Sequence, residues 1–188
     1  TRKTKKAKQR SETEPTHVFV YGSLRPDDDS GMLWTKRWAE GLEALPAHID
    51  GARLWHGDNG AQITLDGTPE NTVTGYAMGL RNTTTIPAKR LWAKKLKEAD
   101  DIAGYDPTSR ALSSFFRRDR CTVTTADGAV PAFVFHNVGC RKKDRIPSGD
   151  WLKRRRADES STLFADATEG EPPPKPAMEV GDVFYDSD

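Results

Sequence analysis

The sequence predicts an α+β domain built around a mostly antiparallel sheet, and three observations lead to that fold class. Short apolar runs of strand length recur along the chain and are separated by Gly, Asp and Asn turn signals. One longer segment has helical periodicity and lies between two groups of these runs. The length of 188 residues suits one domain with tails. We therefore expect a single sheet-based domain with one main helix.

The first strand-like run is HVFVY, which ends at Gly22 and predicts a buried strand followed by a tight turn. Similar runs follow as GARLW, AQITL, VTGYAMGL, CTVTT and VPAFVF. The Asp-Gly pair in TADGA, between the last two runs, predicts a hairpin. GMLWTKRWAE predicts a short helix, and RKKDRIPSGDWLKRRR is interpreted as a basic loop.

The main helix is predicted from Pro87 to Ile102. Thr85 and Pro87 are start signals, and Gly104 is a stop signal. Apolar residues recur at three- and four-residue spacing and form one stripe, which comprises Leu91, Trp92, Leu96, Ala99 and Ile102. The lysines between them are interpreted as the solvated face, namely Lys94, Lys95 and Lys97.

Charge is distributed unevenly along the chain. Residues 1–156 carry 28 basic and 19 acidic side chains, whereas residues 157–188 carry 1 basic and 9 acidic side chains. The almost complete lack of apolar residues at the start predicts a disordered basic arm over 1–16. We expect the folded domain over 17–156 and an acidic, proline-rich tail over 157–188.

The composition also bears on partners and location. The basic segments 1–10 and 141–156 offer a surface for nucleic acid or another polyanion, but aromatic interleaving is poor, so a solvated surface is favoured. No apolar run approaches 18 residues, and a membrane span is not expected. The two cysteines, Cys121 and Cys140, form no CxxC pair and no metal-ligand spacing. This predicts no metal and a reducing, cytoplasmic setting.

The run VFVYGSLRP resembles the signature loop of the gamma-glutamylcyclotransferase-like (avirulence-induced-gene-2-like) superfamily, and later segments resemble that family in order. VTGYAMGL is similar to its "V-x-G-x-x-x-x-L" strand, and Ala103-Gly104-Tyr105 falls where the family has Glu-Gly-Tyr. FFRRDRCTVT resembles its "Y-x-R-x-x-V-x-V" strand, with Phe116 in place of the tyrosine. GARLW, AVPAFVF and IPSGDW complete the match, which covers about residues 17–151.

The resemblance implies a small β-barrel with flanking helices and a substrate pocket at one mouth. It implies release of 5-oxoproline and a free amine from a small gamma-glutamyl compound, without cofactor or metal. The α-amine of the substrate attacks its own γ-carbonyl, so holding the glutamyl group bent supplies much of the rate. The implied substrate-binding residues are Tyr21, Gly22, Ser23, Leu24, Tyr105 and Arg118.

The position of the family's acid–base glutamate is Ala103, and alanine transfers no proton. Three explanations stay open at this stage: an engineered knock-out of an enzyme, a natural non-catalytic binder, or substitution by another carboxylate. Glu98, Asp100 and Asp101 are near in sequence, but only Asp100 would share the helix face of Ala103. The sequence therefore predicts a cyclotransferase-type domain, or alternatively a pseudoenzyme that binds a small molecule or polyanion.

Overall fold

A computed structural model describes residues 14–28, 33–57, 60–108, 116–137 and 144–154. The predicted acidic tail, Cys140, most of the predicted basic arm and part of the second basic segment lie outside these residues. The described elements, in chain order, are β1 (His17–Val20), α1 (Leu33–Ala39), β2 (Glu43–Asp50), β3 (Arg53–Gly57), β4 (Gly60–Thr64), β5 (Thr72–Gly79), α2 (Ile86–Ala103), β6 (Arg117–Thr125), β7 (Gly128–His136), β8 (Asp144–Ile146) and a 3-10 turn (Trp151–Lys153).

Five strands form a closed barrel in the order β1-β5-β2-β6-β7. Its neighbours are antiparallel except where β7 meets β1, which run parallel with Phe19 opposite Val134. The strands β4-β3-β8 form a second antiparallel sheet. The predicted α+β class and barrel are confirmed, and the turn predicted from Asp-Gly joins β6 to β7.

The alternation of side chains along the strands divides the apolar core into two layers. Phe19 of β1 and Val134 of β7 belong to a cluster that also contains Ile63 and Trp151. The neighbouring positions on the same strands point to the other face, where they pack with the two helices. This second cluster includes Val18, Val20, Trp38, Trp92, Ala99, Phe133 and Phe135. The wall of the barrel therefore separates an apolar interior from a layer of helices.

Helix α2 extends one residue beyond the predicted helix at each end, from Ile86 to Ala103, and it has the predicted caps. The Thr85 hydroxyl accepts a hydrogen bond from the Ala88 N–H, which is an N-cap. Gly104 takes the left-handed conformation at φ 64°, and its N–H bonds back to the last turn. The predicted apolar stripe is only partly correct, since Trp92 and Ala99 are buried whereas Leu91 and Ile102 are exposed.

Lys95 is not on a solvated face, as the sequence pattern suggested, but is 9% exposed. Its ammonium donates to the carbonyls of Arg37 and Trp38 at 3.1 and 2.7 Å, at the carboxyl end of α1. In return the Trp38 indole N–H donates to the Lys95 carbonyl at 2.9 Å. A cation at a helix carboxyl end is favourable, so this side chain fastens the two helices together.

One further prediction was wrong, and one strand was not predicted. The basic loop RKKDRIPSGDWLKRRR contains β8 and the 3-10 turn, because Ile146 pairs with Leu54 and packs in the core. Strand β2 was missed because Pro46 interrupts its pattern. Pro46 is tolerated because it lies beside β5 alone, whereas the pairing with β6 is confined to Ala47 and His48.

We predict that Lys95→Met destabilises the domain by about 1–3 kcal/mol, because two helix-end carbonyls lose a charged donor. Urea denaturation followed by tryptophan fluorescence measures the change. Lys94→Met is the matched control, since the Lys94 side chain is 74% exposed, and its cost should stay within about 0.5 kcal/mol. Equal costs for the two substitutions would show that the buried ammonium contributes nothing.

Candidate functional site

A cavity lined by the predicted loop residues lies at the carboxyl end of β1. Its volume is about 130 Å³. A cavity of roughly 150 Å³ holds a benzene ring in another protein, so this space suits a small organic group. Strand β1, the following turn, β4, the end of α2 and two phenylalanines form its walls, contributed by Phe19, Val20, Tyr21, Gly22, Ser23, Leu24, Ala61, Ile102, Ala103, Phe116 and Phe135.

The turn after β1 is fixed by short-range and long-range bonds. The Tyr21 hydroxyl is buried and donates to the Phe135 carbonyl at 2.6 Å. The Arg25 N–H donates to the Gly22 carbonyl at 2.9 Å and closes the turn. The four residues predicted from the signature loop, Tyr21 to Leu24, therefore all line the cavity.

Gly22 is needed for space. A Cβ placed on Gly22 would lie 2.5 Å from the Ala61 Cβ, which is closer than two carbon atoms can approach. Ala61 belongs to β4, so the second sheet supplies one wall of the cavity by packing against this glycine. No local sequence signal links Ala61 to the signature loop.

Ala103 is the last residue of α2 and lines the cavity with Ile102. The helix end therefore faces the signature loop across one space. The residues that line this cavity in the described structure include no carboxylate, histidine, lysine or arginine. The polar side chains among them are those of Tyr21 and Ser23. The remaining lining side chains are apolar.

Asp100, the candidate substitute carboxylate, does not line the cavity. Both of its oxygens lie 2.7 Å from Nη1 of Arg118. Burial raises the pKa of the Asp100 carboxyl, and the attraction of Arg118 opposes this shift. The other two nearby acids face outward, with Asp101 paired to Lys97 at 3.0 Å and Glu98 beside Lys95 at 3.8 Å.

Arg118 and Tyr105 lie behind the cavity wall. The Arg118 guanidinium stacks between two rings, 5.2 Å from the centroid of Tyr105 and 4.8 Å from that of Phe133. Tyr105 in turn makes an edge contact with Phe135, which is itself a lining residue. These two predicted binding residues therefore support the wall rather than form it.

The environment of the described cysteine disfavours its thiolate form. Cys121 packs partly buried against the barrel interior, and burial raises the pKa of its thiol to about 12. The nearby Asp119 charge adds to this shift. Because the thiolate is the reactive form, this raised pKa disfavours a nucleophilic role for Cys121 at neutral pH.

Sequence reasoning missed the network that follows the loop. The Arg25 guanidinium lies between the carboxylates of Asp27 and Asp150, and Tyr76 donates to Asp27. Asp150 lies in the IPSGDW segment, and the resemblance of this segment to the family indicates no partner for it. The pairing joins residues 125 positions apart, so no local pattern could have found it.

Comparison with known proteins bears on the fold and the family. The family model described as "Gamma-glutamyl cyclotransferase, AIG2-like" matches residues 18–153. No curated protein matches the chain significantly. Neither helix that the structure describes is long and apolar enough to cross a membrane.

Solved structures with a similar fold come from an archaeon and a bacterium. An uncharacterized protein of Pyrococcus horikoshii matches with a TM-score of 0.50 at 15% identity, over 78% of this chain and 98% of that chain. YkqA of Bacillus subtilis matches with a TM-score of 0.50 at 16% identity, over 79% of this chain and 44% of that chain. At these identities the two likenesses show the fold alone.

We predict that Gly22→Ala destabilises the domain by about 1–3 kcal/mol, because the added methyl overlaps Ala61. Its φ is not positive, so alanine meets a steric obstacle here and not a backbone one. Urea denaturation of Gly22→Ala, Ala61→Gly and the double variant tests this in a double-mutant cycle. The double variant should recover most of the loss, and strictly additive costs would contradict the contact.

Proposed function

Because the chain belongs to the gamma-glutamyl cyclotransferase, AIG2-like family, we propose that this cavity binds the glutamyl group of a small gamma-glutamyl compound. The observation that carries the proposal is the meeting of the Gly22–Leu24 turn and Ala103 around one cavity. The volume of about 130 Å³ accommodates a glutamyl-sized group, and the departing amine would extend toward the opening. The cytoplasmic location expected from the cysteines remains a prediction.

The reaction of such a site is an intramolecular aminolysis. The α-amine of the glutamyl group attacks its γ-carbonyl, the new C–N bond closes a five-membered ring, and the original amide C–N bond breaks. 5-Oxoproline and a free amine leave. The turn residues Gly22, Ser23 and Leu24 would offer backbone N–H groups to the substrate carboxylate or the developing oxyanion. The largely apolar walls would lower the local dielectric constant and so strengthen these interactions.

One proton must leave the attacking amine and one must reach the departing nitrogen, and a single carboxylate can carry out both transfers. Ala103 supplies none, and the described lining residues contain no other carboxylate. Losing a general acid–base group typically costs about 10²- to 10⁴-fold in rate. We therefore propose that this chain retains the binding cavity of a cyclotransferase and is impaired in the proton transfer.

The alternative function belongs to a different class, a non-catalytic module that binds a small molecule. The apolar lining with its few polar groups supports binding as well as it supports catalysis. Turnover by a variant with a restored carboxylate separates the two functions, because a cavity evolved for an unrelated ligand gains no cyclotransferase activity from one side chain.

We predict that Ala103→Glu raises 5-oxoproline release by about 10²- to 10⁴-fold over the unmodified chain. Release is measured by chromatography with glutathione, γ-glutamyl-ε-lysine and γ-glutamyl-ethylamide as substrates. Ala103→Gln is the matched control, because it has nearly the same shape but transfers no proton. Activity in the Glu variant alone supports the proposal. If both variants stay inert with all three compounds while the folds are intact, the cyclotransferase proposal fails.

We predict that Asp100→Asn leaves any residual 5-oxoproline release of the chain unchanged, because Asp100 is bound to Arg118 and does not line the cavity. The substitution should instead lower stability by about 1–3 kcal/mol, since it weakens a charged hydrogen bond in a partly buried site. Activity and urea unfolding are measured on the same protein. A loss of turnover with unchanged stability would make Asp100 the substitute carboxylate.

A further inference from the structure

A buried guanidinium directly follows the cavity turn. Arg25 is 8% exposed. Its Nε and Nη2 donate to the two oxygens of Asp27 at 2.8 Å each, and its Nη1 donates to Asp150 at 2.9 Å. Its guanidinium also lies 5.5 Å from the centroid of the Tyr76 ring. Two carboxylates and an aromatic ring thus replace the water that this cation lost.

The backbone of Arg25 belongs to the cavity turn. Its N–H bonds to the Gly22 carbonyl, and its carbonyl accepts from the Asp28 N–H at 3.2 Å. Through its backbone and its side chain, Arg25 therefore joins the turn to the distant residue Asp150. Arg25 itself does not line the cavity.

The segment that contains Asp150 is held in place by several contacts. Asp150 accepts from the Leu152 N–H and so caps the 3-10 turn, whose Trp151 is buried in the core. The preceding Gly149 accepts from the Thr74 N–H at 2.9 Å. A Cβ on Gly149 would lie 1.8 Å from the Thr72 carbonyl oxygen, so this segment sits directly against the first residues of β5.

Tyr76 ties the same network to the barrel wall. Its hydroxyl donates to Asp27 at 2.9 Å. The Arg25 guanidinium holds the pKa of the Asp27 carboxyl below its ordinary value, with a further contribution from Tyr76. Asp27 is thus a charged acceptor for both neighbours at neutral pH, and the turn is bound to β5 as well as to the segment before the 3-10 turn.

We propose that Arg25 is a positioning residue for the cavity: it holds the Gly22–Leu24 N–H groups in the orientation that receives a ligand, by bridging the turn to Asp27 and Asp150. The inference rests on the proposed function for the identity of the ligand. Arginine has a planar fork of donors that can pair with both oxygens of Asp27 while a third donor reaches Asp150, and the lysine ammonium lacks this fork. Preorganised donors bind more tightly because their ordering is not repeated at each binding event.

The experiment compares Arg25→Met, Arg25→Lys and Asp150→Asn with the unmodified chain. Because Ala103 impairs turnover, calorimetric titration with glutathione, γ-glutamyl-ε-lysine and γ-glutamyl-ethylamide measures binding with little loss of ligand. We expect both Arg25 variants to bind at least about tenfold more weakly, which is 1.4 kcal/mol at 25 °C, and Asp150→Asn to show a smaller loss. Arg53→Met is the control, since Arg53 lies in the second sheet, bonds to Asn71 of the loop before β5 and does not line the cavity.

Hydrogen exchange on the ligand-free proteins measures how often the hydrogen bonds of the turn open, and it does not require a ligand. The amides of Arg25 and Asp28, which bond to the Gly22 and Arg25 carbonyls, should exchange at least about tenfold faster in Arg25→Met and Arg25→Lys, and at an unchanged rate in Arg53→Met. Unchanged exchange in the Arg25 variants overturns the inference. Unchanged affinity in them overturns it too, even if exchange is faster.

If the unmodified chain binds none of the three compounds, the proposed function fails, and exchange still decides whether Arg25 orders the turn. Should Arg25→Met fail to fold, Asp150→Asn gives the same two readouts.

Discussion

The parallel contact between β1 and β7 is the constraint on which the rest of the structure depends. It closes the barrel, and β1 achieves this with only four residues, paired on its other side with β5. Directly after β1 the chain must turn at the barrel mouth, and the bond from Tyr21 to the Phe135 carbonyl continues the contact with β7 beyond the ladder. The position of the cavity follows from this closure, because the turn after β1 is the first segment beyond the residues that pair with β7.

The second half of the cavity depends on where α2 ends. Trp92 and Ala99 pack the helix on the outer face of the barrel, and the reciprocal bonds of Lys95 and Trp38 fix its position along α1. Gly104 then stops the helix, so that residue 103 is the last one with helical geometry. Behind it, the pair of Asp100 and Arg118 connects the final turn to β6. A residue at the end of α2 is thereby presented to the turn after β1.

Local signals predicted much of this arrangement. The run HVFVY, the Asp-Gly hairpin and the caps of α2 each depend on neighbouring residues, and the structure confirms them. The errors arise where distant partners decide. Lys95 is buried because α1 offers it two carbonyls, and Pro46 is accepted in β2 because β6 pairs only beyond it. Likewise Ala61 and Asp150 reach the cavity turn from remote positions, and neither has a pattern of its own.

The identity of residue 103 has a consequence for stability as well as for chemistry. A glutamate there would place a negative charge at the carboxyl end of α2, where the helix dipole disfavours it, and beside apolar walls that desolvate it. Both effects would raise the pKa of such a carboxyl toward neutrality, which suits a group that must accept and return a proton. Alanine removes both costs and is the residue with the highest helix propensity. Under the proposed function, alanine at position 103 would leave the cavity intact and remove the one unfavourable charge that proton transfer requires, so that the chemistry of the site and the stability of the helix end oppose each other.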